Sequence, residues 1–574
     1  MSSDIENQQK TGITRRQFFK GSAAVAVSVA AGGLLVGCSD DEKSSGSGSD
    51  KKTEEKTGYS FETPPKPIKD ISSEESADVI VVGSGMSGLT TALSAAESGA
   101  KVILISGSKQ PISRGGSNQS TNSKVMKKYG VKPFDASKKF QKEYLAASYR
   151  VDQKKWSKYH NRSEEAMDWL IDKVEAKDIK VTLERDNVDE FGLPCAHGFV
   201  PANPKGSMVA TGQQSVVEAL DSYCKEVGVK LSYSTVAEQL VREDNNKGRV
   251  TAVIAKKDGK YIKYNGKKAV VLATGDFSAN REMMEKYCPW VLSIMPEEEP
   301  KTDYNRGFAM GGLYKGDGQK MGLWVGAAWQ KTYPNAPMIQ GAWGGGYQPL
   351  GFHEGLVVNS KGQRFYNENI SAPYSATHLL TQSEYFSYGI WGTNYAQDLV
   401  DSGREWHTFG QLYTDPGWTP EQMLKMWDDG VKDKQYFKAD TIEDLCTQLN
   451  LPVEETVASV TRYNELCKKG TDDDFLKDPT LMIPVETGPF YAAKNSPIFM
   501  TVMGGLRTDV NMQVLDKEDN PIPGLFNVGQ MIGDMYADTY NFALPGQSLG
   551  GCCLTFGYVL GRELATDAIE GNKA

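Results

Sequence analysis

Short apolar runs that end in glycine recur along the chain and predict its main strands. They lie at residues 77–83, 270–275 and 521–529, and each is rich in valine, isoleucine or leucine. Runs of this length are typical of buried strands in a parallel sheet. Residues 89–98 have the alanine-rich pattern of a packed helix, and residues 101–105 predict the next strand. The pattern therefore predicts an α/β fold whose last strands return after a long insertion.

The first predicted strand runs directly into the sequence Gly83-Ser84-Gly85-Met86-Ser87-Gly88. Between a strand and a helix, such glycines let backbone N–H groups approach a pyrophosphate at the positive end of the helix. Ser106 follows the second strand, where proteins of this type often carry an acid that binds ribose. Its hydroxyl can still hydrogen bond a ribose, although more weakly than a carboxylate. The segment therefore predicts a nucleotide cofactor.

The start of the chain has the pattern of an export signal. Residues 14–20 read Thr-Arg-Arg-Gln-Phe-Phe-Lys and precede an apolar stretch that ends at Gly37, which is typical of a twin-arginine signal. Leu35-Val36-Gly37-Cys38 is similar to a lipobox, and a polar, flexible segment follows. We predict a signal peptide at 1–37, a lipidated tether at 38–75, and a position on the extracytoplasmic face of the cell membrane.

Charge and cysteine spacing exclude several classes of function. The net charge of −9 argues against a nucleic-acid partner. The eight cysteines include no C-x-x-C pair, so the sequence predicts no c-type haem, no iron–sulfur cluster and no metal site. Any electron-transfer partner should therefore be a separate protein, such as a cytochrome or an FMN protein.

Four further motifs lie downstream of the glycine-rich start. They are A-T-G-D-F at 273–277, G-D-G at 316–318, V-N-x-x-G-x-R-F-x-N-E at 358–368 and Q-S-L-G at 547–550. Together they resemble the fumarate reductase and 3-ketosteroid Δ1-dehydrogenase superfamily of flavoproteins. The resemblance covers residues 76–570 and implies a Rossmann-like FAD-binding domain with an inserted α+β capping domain.

The resemblance also implies domain boundaries and contacts with the cofactor. The FAD-binding domain should span residues 76–328 and 486–574, and the capping domain residues 329–485. The residues expected to contact FAD are Gly83, Gly85, Met86, Ser87, Gly88, Ser106, Gly115, Gly116, Ser117, Ala273, Thr274, Gly275, Asp276, Asp317, Gly529, Gln530, Ser548 and Leu549.

The resemblance further indicates how FAD is held. Members with covalent flavin attach it through a histidine just before a glycine pair, but here Arg114 precedes Gly115 and Gly116. We therefore expect non-covalent FAD. The helix that begins near Leu549 should point its N-terminus at the flavin, which favours the negative charge gained on reduction.

The residues that bind dicarboxylates in fumarate reductases are replaced in this chain. The expected arginines correspond to Ala372 and Ser548, and one expected histidine corresponds to Met500 or Thr501. The histidine before a proline corresponds to Tyr333. A site without these basic groups should not bind fumarate or succinate.

Neutral and aromatic residues suggest a different substrate. Ser371 to Tyr374 is similar to the S-A-P-Y segment of ketosteroid dehydrogenases, displaced by two residues, where a tyrosine transfers the proton. The Gly546 N–H and the Tyr540 hydroxyl are candidate donors to a substrate carbonyl. Tyr374 is the first candidate for the proton donor and Tyr333 the alternative.

These residues predict an FAD-dependent oxidoreductase that exchanges hydride between flavin N5 and an activated C–C bond of an organic molecule. An enone, which could be steroid-like, fits this prediction. Two alternatives stay open from the sequence alone, namely an NAD(P)-linked dehydrogenase and a lipoprotein that binds a ligand without catalysis. The substrate, the physiological direction and the oligomeric state also stay open.

Overall fold

The computed structural model describes residues 58–133, 141, 144–145, 147–185, 194–203, 208–297, 299, 301–307, 312–343, 355–369, 372–406, 411–538, 540, 546–569 and 572. At residues 208–211, 340, 342–343 and 372–375 it describes the backbone only. The predicted signal peptide, Cys38 and the first part of the predicted tether lie outside the described residues.

The chain forms three sheets from sixteen strands among the described residues. The strands are β1 (Ile71–Val82), β2 (Val102–Ile105), β3 (Asn118–Gln119), β4 (Lys180–Leu183), β5 (Ala196–Val200), β6 (Lys230–Ser232), β7 (Val236–Arg242), β8 (Val250–Lys257), β9 (Lys260–Leu272), β10 (Ala336–Trp343), β11 (Leu356–Asn359), β12 (Ser387–Gly392), β13 (Tyr436–Ala439), β14 (Phe490–Met503), β15 (Gln513–Leu515) and β16 (Pro521–Asn527).

Helices surround these sheets. They are α1 (Met86–Glu97), α2 (Lys124–Lys128), α3 (Gln153–Glu175), α4 (Met208–Glu226), α5 (Arg281–Tyr287), α6 (Asp317–Trp324), α7 (Ala372–Leu379), α8 (Asn394–Asp401), α9 (Pro420–Lys432), α10 (Ile442–Leu449), α11 (Val453–Lys469) and α12 (Phe556–Ala565). A π-helical segment, Ser548–Thr555, leads directly into α12. No helix in the described part of the chain is both long and apolar enough to cross a bilayer.

The largest sheet has eight strands and contains the three predicted glycine-ending runs. Strand β1 pairs in parallel with β2 on one side and β9 on the other, and β16 adds in parallel to β9. Valine, isoleucine and leucine fill both faces of these strands, as a sheet covered by helices requires. The α/β pattern predicted from the sequence is therefore present, with β16 returning to the sheet after the insertion.

A second, antiparallel sheet of five strands lies within the insertion. Its central strand, β14, pairs with β10, β12 and β13. Trp391 and Trp427 are buried in its core with Tyr491. Because β14 extends to Met503, this sheet includes residues that the predicted boundary at 486 assigns to the FAD-binding domain.

The part of the predicted tether from Gly58 onward packs on the folded body. Phe61 is buried, and its carbonyl accepts a hydrogen bond of 2.8 Å from the Trp324 indole. Strand β1 begins at Ile71. An aromatic side chain that loses its contact with water in this way stabilises attachment of the segment.

Candidate functional site

The predicted pyrophosphate site lies where β1 meets α1. Helix α1 begins at Met86, and no side chain caps its N-terminus. A Cβ atom on Gly83 would collide with the Ala273 carbonyl, and one on Gly88 would collide with the Gly83 carbonyl. The strand, the turn and the helix therefore approach closely only because these positions are glycine. The first turn of α1 keeps its N–H groups for a ligand such as pyrophosphate.

Ser106, predicted to bind ribose, lies at the end of β2 in a cluster of three hydroxyls. Its Oγ lies 2.9 Å from both the Ser84 Oγ and the Ser108 Oγ. Asp317 approaches the same region, because it accepts a 2.8 Å hydrogen bond from Tyr304, whose ring lies against Gly107. The structure thus brings Ser106 and Asp317 to one end of the predicted cofactor site.

Two distant predicted FAD segments pack against each other at the other end. A Cβ atom on Gly115 would overlap the Leu549 side chain, and one on Gly546 would lie 2.7 Å from the Ser117 carbonyl group. The Gln119 N–H donates to the Gly546 carbonyl over 2.9 Å. Gly546 has a φ of 75°, a left-handed conformation that favours glycine. The predicted contacts Gly115 to Ser117 and Ser548 to Leu549 therefore belong to one surface.

This surface carries buried polar atoms that have no hydrogen-bond partner among the described residues. They are the Ser113 Oγ, the Asn118 Oδ1, the Gln547 Nε2 and the Ser548 Oγ. Buried polar atoms are normally hydrogen bonded, so a group of them indicates a place for a polar ligand. The flavin ring has nitrogen and oxygen atoms along one edge, and its hydrogen-bonding capacity fits these atoms.

The predicted turn at 273–276 lies beside the same site. The Thr274 Oγ1 accepts a 3.1 Å hydrogen bond from the Gly318 N–H, and the Gly275 carbonyl accepts one of 2.9 Å from Gln319. Gly529 packs on Ser87 of α1, where a Cβ atom would lie 2.6 Å from the Ser87 Oγ. These contacts join the G-D-G segment, the turn and α1 around the site.

Asp276, which replaces a family glycine, forms a buried ion pair with Arg114. The Arg114 Nη1 lies 2.9 Å from the Asp276 Oδ2, and the two side chains are 9% and 0% exposed. The Thr501 hydroxyl also donates to this carboxylate, and the Arg114 Nη2 donates to the Met500 carbonyl over 2.8 Å. Thr501 also lies 3.5 Å from the side chain of Gln530, another predicted FAD contact. The pair therefore connects the FAD segments to strand β14.

Tyr540, predicted to donate to a substrate carbonyl, is buried beside the helix start. Its hydroxyl accepts a 3.3 Å hydrogen bond from the Ser548 N–H, and burial raises its pKa. The phenol therefore stays protonated at neutral pH. Gly546 lies close by in sequence, so the two predicted donors share one region.

Tyr333, the alternative proton donor, is 49% exposed and lies on a loop whose backbone is fixed by hydrogen bonds. The Asp534 carboxylate accepts hydrogen bonds of 2.9 and 2.8 Å from the Lys331 and Thr332 N–H groups. Lys155, which is fully buried, donates over 2.8 Å to the Gly533 carbonyl. Burial raises the Tyr333 pKa, so this hydroxyl also holds its proton at neutral pH.

Tyr374, the first candidate for the proton donor, lies in α7, but its side chain is outside the described residues. Ala372 begins the same helix. Phe542, Leu544 and Pro545, which precede Gly546, are also outside the described residues. The assignment of the proton donor therefore stays a prediction from the sequence.

Sequence reasoning missed two charged residues at this site. Arg114 was considered only as a replacement for histidine, although its position directly before a glycine pair is a usable signal. Glu184, at the end of β4, is fully buried and accepts a 2.7 Å hydrogen bond from the Ser117 Oγ. No sequence motif marks Glu184, because it is 67 residues from its partner.

Comparisons with known proteins agree with this geometry. A family model described as FAD binding domain matches residues 78–549. Vinyl phenol reductase from Lactiplantibacillus plantarum is 28% identical over 522 residues, which covers 87% of this chain and 98% of the relative. Urocanate reductase from Eggerthella lenta is 27% identical over 507 residues, which covers 86% of this chain and 74% of the relative.

A solved structure shows the same fold. The crystal structure of 3-ketosteroid-Δ4-(5α)-dehydrogenase from Rhodococcus jostii RHA1, in complex with 4-androstene-3,17-dione, superposes with a TM-score of 0.64. It has 22% sequence identity, and the match covers 88% of this chain and 99% of that one. The predicted fold class and the predicted FAD cofactor are thus confirmed, and the flavoenzyme is favoured over both alternatives. The chain belongs to the FAD binding domain family and is an FAD-dependent oxidoreductase.

Proposed function

We propose that this oxidoreductase reduces the C=C bond of an uncharged α,β-unsaturated or vinyl-aromatic compound, and not fumarate. The observation that carries the proposal is the loss of basic groups where a dicarboxylate would be bound. The residues at those positions are neutral, namely Tyr333, Ala372, Thr501 with Met500, and Ser548. Thr501 also donates its hydroxyl to Asp276. A substrate with two carboxylates would lose its hydration there without gaining a cation.

The relatives support this class of substrate. Vinyl phenol reductase and urocanate reductase are named for substrates with a C=C bond conjugated to a ring, of which vinyl phenol is uncharged and urocanate carries a carboxylate. The solved structure with the same fold contains 4-androstene-3,17-dione, an uncharged enone. The sequence assigns two neutral phenols, Tyr333 and Tyr540, to the substrate site, which fits an uncharged substrate.

The motifs of the sequence suggest specific roles for residues of this chain. When bound, FAD supplies the hydride that is added to the substrate. The Gly546 N–H and the Tyr540 hydroxyl donate hydrogen bonds to the oxygen on which negative charge develops. Tyr374 gives a proton to the neighbouring carbon, so that two hydrogens are added across the bond. In the reverse direction the same tyrosine would take that proton.

A reoxidation screen tests this proposal. The enzyme is reduced with dithionite under anaerobic conditions, and enones, vinyl phenols, acrylate, steroids and fumarate are added separately while flavin absorbance is followed. We expect fast reoxidation by at least one uncharged enone or vinyl phenol and none by fumarate. Fumarate turnover of about 10 per second, an ordinary enzyme rate, would contradict the proposal.

We also propose that FAD is held without a covalent bond. The residue before the glycine pair is Arg114, and its guanidinium is engaged by Asp276 and the Met500 carbonyl. Acid precipitation should therefore leave all flavin in the supernatant. Flavin fluorescence in the washed protein pellet would show a covalent link instead.

We further propose export by the twin-arginine route, a lipid on Cys38 and a separate electron donor, either a cytochrome or an FMN protein. The motifs at 14–20 and 35–38 support export and lipidation. Cys38→Ala should release the protein from membranes, whereas Cys467→Ala, at a half-buried cysteine, should not. A Cys38→Ala protein that fractionates with membranes as before would exclude the lipid.

A further inference from the structure

The ion pair between Arg114 and Asp276 is largely buried, and neutral groups contact both of its members. The Asp276 Oδ1 accepts hydrogen bonds from the Ser278 N–H and Oγ over 3.3 and 2.9 Å. The Arg114 guanidinium also lies 5.2 Å from the centre of the Tyr314 ring. Two opposite charges therefore lie side by side in a buried place, and neutral groups help to hold them there.

Both members of the pair belong to segments that fit FAD. Arg114 directly precedes Gly115, which packs on Leu549 at the start of the C-terminal helical segment. Asp276 ends the 273–276 turn, whose Ala273 touches Gly83 of the pyrophosphate loop. The pair thus lies between the part of the site that fits the pyrophosphate and the part that fits the flavin ring.

A buried charge near the flavin has a large effect on the reduction potential of the flavin. In a buried site the effective dielectric is well below that of water, so a nearby charge changes the free energy of adding electrons. A positive charge stabilises the negative charge that flavin gains on reduction, and a negative charge opposes it. A balanced pair keeps both effects small.

We propose that Arg114 and Asp276 form a tuning pair, in which each charge acts on the reduction potential of FAD and the opposite charge offsets it. Arg114 raises the potential, and Asp276 offsets that increase while it orients the guanidinium. Asp276 stands where the resembling family has glycine, and Arg114 stands where covalent members have histidine. The two replacements therefore introduce opposite charges that compensate each other. The proposal concerns the cofactor and does not depend on the identity of the substrate.

Three variants test the pair through the flavin midpoint potential, measured by anaerobic dye equilibration of the purified holoenzyme. Asp276→Asn leaves the arginine unbalanced and should raise the potential. Arg114→Gln leaves the carboxylate unbalanced and should lower it. We expect each single change to alter the reduction equilibrium by about tenfold or more, which is about 30 mV for two electrons. The double variant should return close to the wild-type potential.

The opposite signs separate this role from a purely structural one. If both single variants keep FAD but shift the potential in the same direction, or by much less than tenfold, the proposal is wrong. Should Asp276→Asn fail to fold, Asp276→Gly replaces it, because the family turn accommodates glycine. Should no single variant fold, the midpoint potential of the uncharged double variant tests the proposal. A change in its reduction equilibrium of tenfold or more from wild type would overturn the proposal.

Discussion

Two buried arginines in this protein have similar exposure but different surroundings. In the five-stranded-sheet region, Arg364 is 7% exposed and contacts two carboxylates, Glu368 and Asp472, which are fully buried. Beside the flavin site, Arg114 is 9% exposed and has one described carboxylate partner, Asp276. Arg364 has a carboxylate on each side, whereas Arg114 pairs with one described carboxylate and donates to a backbone carbonyl.

The two arginines differ in role: Arg364 stabilises the fold of the cap, whereas Arg114 lies in a segment predicted to contact FAD. Arg364 donates two hydrogen bonds of 2.8 Å to Glu368 and bonds of 3.0 and 2.7 Å to Asp472. Asp472 also accepts the N–H groups of Phe475 and Lys477, so the network fixes a loop. Although burial opposes its ionisation, the Arg364 hydrogen bonds lower the Asp472 pKa to about 2. The family motif at 358–368, which stabilises the cap, is intact. The family residues at positions 114 and 276, in segments predicted to contact FAD, are replaced.

The largest expected effect comes from the tyrosine that follows the braced motif. Tyr374→Phe keeps the ring and removes the hydroxyl, so FAD content should not change. General acid catalysis contributes about 10²–10⁴-fold, and substrate-driven reoxidation should slow by that factor. Stopped-flow absorbance measures this rate. If Tyr333→Phe slows flavin reoxidation and Tyr374→Phe does not, Tyr333 is the proton donor. The cap segment that contains Tyr374 then has only a structural role.

Arg364→Met should destabilise the cap by about 3–5 kcal/mol, because it leaves Asp472 buried without its cation and Glu368 with Lys477 at 3.4 Å. Hydrogen exchange measured by mass spectrometry should show faster exchange in peptides 356–369 and 472–478. Arg462→Met is the matched control, because its 48%-exposed side chain pairs with Asp474 at the surface. If the two variants destabilised the cap equally, burial of the Arg364 ion pairs would not be the cause of the destabilisation.

His197 should make the flavin side sensitive to acid. Its ring bonds the Asn118 carbonyl over 3.0 Å and the Ser123 Oγ over 2.7 Å, and burial lowers its pKa to about 4. The unfolded chain binds this proton near pH 6.5, so stability falls as the pH drops from about 6.5 toward 4. Between pH 7 and pH 5 the loss should be about 2 kcal/mol in urea unfolding. His197→Gln should remove that difference, and an unchanged pH dependence would contradict the assignment.

The smallest expected effect concerns the threonine bound to the tuning pair. Thr501→Val keeps the shape of the side chain and removes its hydrogen bond to Asp276, which should cost about 1.5 kcal/mol. Thr508→Val is the control, because the buried Thr508 hydroxyl has no hydrogen-bond partner in the part of the chain that the structure describes. A loss of stability in the control as large as in Thr501→Val would show that the carboxylate contact contributes nothing.

Local features of the fold could be predicted from the sequence, because they depend on neighbouring residues. The strand, glycine turn and helix at 79–97 follow from residue spacing, and β16 and the C-terminal helix were also anticipated. The contact of Arg364 with Glu368 joins residues four apart on the chain. Spacing of this kind is visible in any sequence with the motif.

Contacts across the chain could not be predicted in the same way. Arg114 and Asp276 are 162 residues apart, and Arg364 and Asp472 are 108 apart. Polar composition predicts a flexible tether up to residue 75, but the aromatic side chain of Phe61 is buried on the body. Pairing of distant charges depends on the tertiary arrangement, which a motif does not contain.

The brace beneath Tyr333 has a practical consequence for protein engineering. Asp534 holds the two N–H groups before this tyrosine, and Lys155 holds the neighbouring Gly533 from inside the protein. The backbone at position 333 is therefore set by residues that do not include its own side chain. Libraries that vary only Tyr333 should therefore change its side chain while the backbone stays fixed, so a change in substrate preference could be attributed to the side chain alone.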